Sequence, residues 1–102
     1  MTRVYNEYIE MREKRFNYFP QAFMWHGQVY HVQAVERCWT KMGGRANSRR
    51  ACRLCFRVRA VSLPLPVGRG DGQATFDIYQ DLLVNTWHLE REILDLRPPV
   101  AA

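Results

Sequence analysis

Cys52-Arg-Leu-Cys55 is a C-x-x-C pair, with Cys38 and His31 upstream. Three thiolates and one imidazole could hold zinc tetrahedrally. The pattern around the pair argues otherwise. From Cys52 to Ala60 the even positions are Cys52, Leu54, Phe56, Val58 and Ala60, and the odd ones are Arg53, Cys55, Arg57 and Arg59. That is a half-buried strand with one apolar and one arginine face. Residues three apart in a strand point to opposite faces, so Cys52 and Cys55 cannot share a metal or a redox bond there. The expectation is no metal, a buried Cys52 packing as a small hydrophobe, and a reduced, partly exposed Cys55.

The histidines His26, His31 and His88 are dispersed, and no Walker loop, G-x-G-x-x-G, H-E-x-x-H or G-x-S-x-G is present. Gly68-Arg-Gly-Asp-Gly does not precede a helical pattern, which leaves a phosphate cradle weakly supported. Asp77, Asp81 and Glu90 could cluster across neighbouring strands, but pairing with Arg57 and Arg59 accounts for them without catalysis. The chain therefore reads as a non-enzymatic module with no catalytic residues, metal or cofactor.

The basic residues are more informative. The net charge of +5 hides a segment from Arg37 to Gly70 with nine bases and no acid, eight of the nine being arginine. From Asp71 to Asp95 there are six acids and one base. Arginine's planar fork suits phosphate and carboxylate alike. In one reading the basic strand lies beside the acidic one and the charges cancel. In the other, a surplus at Lys41, Arg45, Arg49, Arg50 and Arg53 faces a polyanion. Phe16 and Tyr18 follow Arg12, Lys14 and Arg15, an aromatic and basic mix that suits base stacking in single-stranded nucleic acid. The alternative is that these rings cover an open end of the fold.

The elements that position these residues are strands. Ala74, Phe76 and Ile78 alternate with Thr75, Asp77 and Tyr79. Trp87 and Leu89 alternate with His88 and Glu90. Asp81 to Asn85 makes the turn between these two strands, although Leu82, Leu83 and Val84 are unusually apolar for a turn. Phe23 to Val32 reads as two strands joined at His26-Gly27, where glycine supplies positive φ. The second continues towards Trp39, with its alternation slipping at Ala34-Val35 as at a bulge or a bend. Tyr5 to Met11 is a first strand or a short helix. Pro20 marks a boundary. Gly43-Gly44 opens a polar loop to Arg50, and Pro64 to Gly72 is a second loop. The predicted fold is all-β: a small antiparallel barrel or a strongly curved sheet of about six strands, possible with one short helix. Residues 1–96 form the single domain, and 97–102 a flexible tail.

Length and composition agree. A chain of 102 residues can bury roughly 65% of its unfolded surface, enough for one core without a staple. The 47% hydrophobic and 13% aromatic content argues against disorder. No apolar run suits a membrane helix or a signal peptide, and an odd cysteine count fits a cytoplasmic chain.

Phe23-Met-Trp-His-Gly-Gln-Val-Tyr-His-Val, Val35-Glu-Arg-Cys-Trp39, Phe56-Arg-Val-Arg-Ala60, Thr75-Phe-Asp-Ile-Tyr-Gln-Asp81 and Thr86-Trp-His-Leu-Glu-Arg91 form an ordered set. That set resembles a family of small uncharacterised bacterial domains, chiefly actinobacterial, often encoded near translesion-type DNA polymerase components. His26 replaces the commoner arginine after the first tryptophan, and the Lys41–Cys52 and Pro64–Gly72 loops are this chain's own. The resemblance implies a small β fold and a DNA-repair setting, and carries over no catalytic residue. The expected function is an accessory module that binds nucleic acid, or acts beside a DNA-processing enzyme, through an arginine-rich face. The alternative is a protein-interaction or homo-oligomerising β module without nucleic-acid contact.

Overall fold

Alternation of apolar and polar residues specifies a sheet with two unlike faces. Joining the first strand to the last lets that sheet bury one face against itself. The structure, a computed structural model, describes residues 2–42, 51–63 and 72–94. Among the described residues there are six strands and no helix: β1 (Thr2–Arg15), β2 (Phe19–Trp25), β3 (Gln28–Met42), β4 (Ala51–Leu63), β5 (Gln73–Asp81) and β6 (Thr86–Ile93). Each pairs antiparallel with the next, and β1 pairs with β6 to close the barrel. The first segment is thus a long strand and not a short helix. Arg45, Arg49, Arg50 and the tail 97–102 lie outside the described residues.

The inward face is the one the alternation indicates. Phe56, Val58, Ala60, Phe76, Ile78 and Leu89 are fully buried, with Trp87 close behind. Phe76 is the hub, with Phe23, Trp25 and Tyr30 set edge-on around it at 5.3–6.1 Å between ring centroids. Such pairs add about 0.5–1.5 kcal/mol each beyond their buried area. The turn at His26-Gly27 has φ of 52° and 74°, as a two-residue type I′ hairpin requires. The slip near Ala34-Val35 is real: the β3–β4 register shifts between Val32 and Ala34 and again between Val35 and Arg37.

Two expectations are revised, for Pro20 and the cysteines, and the outer face of β5 is covered. Pro20 lies inside β2, opposite Lys14 of β1. It is tolerated because the β2–β3 ladder begins only at Ala22, so β2 has a local edge at this point. The outer face of β5 is not solvated: Thr75, Asp77 and Tyr79 are buried. Cys55 is buried and Cys52 only half-buried, the reverse of the sequence reading. Both burials have one cause: side chains from β4 and β6, among them Arg53, Arg57, His88 and Arg91, lie across the outer face of β5.

Asp77 organises that covering. Its carboxylate accepts two bonds from Arg57, Nε at 2.8 Å and Nη2 at 3.0 Å, and Arg91 Nε lies 3.7 Å away. Removing the carboxylate would leave two guanidinium groups facing each other over a buried site. Asp77→Ala should cost about 2–3 kcal/mol, less than a fully buried pair would because Arg57 is one-third exposed. Urea unfolding checks this, with Glu13→Ala as the exposed-carboxylate control.

Candidate functional site

Strand register decides which outward residues become neighbours. Trp39 of β3 stands opposite Cys55 of β4, Cys55 opposite Tyr79 of β5, Tyr79 opposite His88 of β6, and His88 opposite Tyr8 of β1. One continuous row of rings, interrupted by a single thiol, therefore runs around the outside of the barrel. Tyr79 and His88 stack at 4.7 Å with planes 16° apart, and Tyr8 leans on His88 at 4.4 Å. The Thr86 hydroxyl holds His88 Nε2 at 2.8 Å. Tyr8, at 74% exposure, is the open end of the stack.

Basic rows flank the rings on either side. Two residues along each strand one way lie Lys41, Arg53 and Asp81. Two residues the other way lie Arg37, Arg57 and Asp77, and a register shift brings Arg91, three residues past His88, into the same line. Most of these charges are spent internally. Arg57 and Arg91 serve Asp77, Arg59 reaches Glu36 at 3.6 Å, and Lys41 reaches Glu90 at 3.6 Å. The neutralised-sheet reading thus describes much of this face. Arg37 and Arg53 differ. Neither forms an ion pair among the described residues, and each lies over a ring, Arg37 over Trp39 at 5.0 Å and Arg53 over Tyr79 at 4.3 Å. Both guanidinium groups border the aromatic row, Arg53 with Asp81 opposite it in the register.

The sequence-predicted residues separate. Arg53 belongs to this face, and Lys41 lies beside it, bound to Glu90. Phe16 and Tyr18 sit apart on the β1–β2 turn. Tyr18 packs edge-on against Phe19 and the buried Phe56, with its hydroxyl 3.7 Å from Cys38 Sγ, so its ring caps one end of the barrel. Phe16 is 81% exposed at φ 55°, a costly conformation for a bulky residue, with Arg15 over its ring at 5.4 Å. Sequence reasoning missed Trp39, Tyr79, His88 and Tyr8 as a group. Tyr79 and His88 could have been found by counting back from the Asp81–Asn85 turn. Tyr8 joins them only through barrel closure.

Burial sets the chemistry of the row. Desolvation pushes the Cys55 thiol up to about 11, with nearby Lys41 pulling the other way. At neutral pH the thiol therefore stays protonated. Among the described residues no three His, Cys, Asp or Glu side chains gather to hold a metal. Desolvation also lowers the His88 imidazole, so the stacked ring is neutral at pH 7.

Two outcomes follow. A thiol probe at pH 8 should modify exposed Cys38 at once and Cys55 only after unfolding, as mass mapping of the labelled peptides will show. His88 has a folded pKa below its unfolded value of 6.5, so its contribution is complete above that value and is lost as the pH falls through the depressed one. Melting temperature should therefore drop between about pH 7 and 5, and His88→Phe should flatten part of that drop.

Comparison with known proteins bears on the whole barrel. No curated protein and no solved structure matches the chain. A family model described as a domain of unknown function, DUF6504, matches residues 1–92, which span all six strands except the last residue of β6. The chain belongs to the DUF6504 family.

Proposed function

We propose that this barrel binds single-stranded nucleic acid on its outer β3–β6 face, as a non-enzymatic accessory module. The observation that carries the reading is the in-register row Trp39, Cys55, Tyr79, His88 and Tyr8, with Arg37 and Arg53 fixed over its rings. Ring surface at the ends of the row, Tyr8 exposed and Trp39 half-buried, suits bases of any sequence, and the guanidinium groups beside it suit the phosphates. Lys41 lies beside the face in its pair with Glu90, and Arg45, Arg49 and Arg50, outside the described residues, stay candidates on the sequence alone. Phe16, with Lys14 and Arg15, offers a second stacking point on the β1–β2 turn. A module of this kind fits work beside a DNA-processing enzyme, the setting that the resemblance implies.

A second reading rests on the turn after β5. Leu82, Leu83 and Val84 are exposed there. The turn is built firmly, with Leu83 N donating to Asp81 Oδ1 at 2.9 Å and Gln80 Nε2 to Asn85 Oδ1 at 2.7 Å. Three apolar side chains held in that way suit a protein partner or a second copy.

Fluorescence anisotropy with an oligothymidylate of about 12 nucleotides tests the first reading. Binding should be evident at ~50 mM salt and weaken steeply as salt rises. Tyr8→Ala should weaken it about tenfold. Arg37→Ala with Arg53→Ala should also flatten the salt slope, by about 0.7 per lost phosphate contact. No binding of single or double strands at low salt would overturn the reading. If the protein then sediments as a dimer that Leu83→Ser dissociates, the second reading takes its place.

A further inference from the structure

The ring stack does not end in open solvent. Tyr8 also lines a recess of about 740 Å³ between β1 and the β2–β3 turn. The wall is parted there for a local reason. Asn6 sits at φ 51° within an irregular stretch of the β1–β6 ladder, and the β1–β2 ladder starts only at Glu10 opposite Met24. The part of β1 that carries Tyr8 is therefore paired with β6 and unpaired towards β2.

Tyr8 and His26 both line this gap, and His26 stacks on Trp25 at 4.1 Å with planes 24° apart. Glu7 fixes that pair: its Oε1 accepts from Trp25 Nε1 at 3.0 Å and lies 2.8 Å from His26 Nε2. Glu7 is thus committed. Glu10 also lines the recess, and its carboxylate is held only by a solvent-exposed pair with Arg12 at 3.7 Å, a weak restraint. The recess therefore combines aromatic walls with an adaptable carboxylate that can only accept hydrogen bonds.

We infer that this recess takes one nucleobase with two adjacent donors on its edge, namely guanine. The base would continue the Tyr79–His88–Tyr8 stack past Tyr8. Its ring N–H and exocyclic amino group would donate in parallel to the two oxygens of Glu10. Adenine and cytosine offer one amino donor beside an acceptor, and uracil or thymine one donor between two acceptors. An acceptor placed against a carboxylate is repelled, so the discrimination follows from the edge pattern. The inference rests on the proposed function, because the same strand would run along the row and end in the recess.

The test uses the full chain and oligothymidylates with one guanine at either end, compared with the all-thymidine strand and with terminal adenine. The guanine-ended strand of one polarity should bind about tenfold tighter. It should also shift the NMR signal of the Trp25 indole N–H, which the all-thymidine strand leaves unmoved. Glu10→Gln, at an exposed position, should abolish the preference and leave all-thymidine binding at or above its original strength. Equal binding of all strands, an unmoved Trp25 signal, or a preference that survives Glu10→Gln would overturn the recess alone. Failure of every strand to bind would overturn the proposed function with it.

Discussion

β5 has both faces covered, and the rest of the structure follows from that constraint. A strand buried on one face needs an apolar side and a solvated side. β5 instead places Phe76 and Ile78 in the barrel and Thr75, Asp77 and Tyr79 under an outer layer. A buried carboxylate must be paired, and Arg57 and Arg91 supply the charge from the strands on either side. A buried tyrosine needs flat neighbours, and His88 and the Arg53 guanidinium provide them. Cys55 is sealed beneath this layer as a consequence. Its elevated thiol pKa is a product of packing.

This covering also determines how charge is spent. The acidic strands do not simply cancel the basic one. Asp77 occupies Arg57 and Arg91, Glu36 takes Arg59 from within β3, and Glu90 draws Lys41 across the sheet. The two arginines left beside the rings are held by aromatic faces, so their charge stays where the rings are. Side chains fixed in this way lose little further freedom when a ligand arrives, which favours binding.

Irregularities in the wall matter as much as its regular part. The short β2–β3 ladder leaves a slot beside Pro20 and Phe19, and the bulged stretch at Asn6 leaves the recess beside Tyr8. The first follows from β2–β3 pairing that stops at Ala22, the second from β1–β2 pairing that begins only at Glu10. In a closed antiparallel sheet such gaps are where backbone and side chains remain accessible from the side.

The sequence by itself determined the faces. Alternation at Phe56–Ala60, Ala74–Ile78 and Trp87–Leu89 named the core, and His26-Gly27 named a turn, because side-chain direction and positive φ are local properties. It also showed that Cys52 and Cys55 point apart. It did not show which of the two would be buried, since an outward side chain is exposed or sealed according to its neighbours two strands away. Register is likewise non-local. It depends on the bulges in β1 and β3 and on the β1–β6 closure, and a one-residue shift in any of them would break the row. The tertiary structure therefore decided that Tyr8, His88, Tyr79 and Trp39 share one line, that Tyr18 caps the barrel, and that Arg37 and Arg53 keep their charge at the surface.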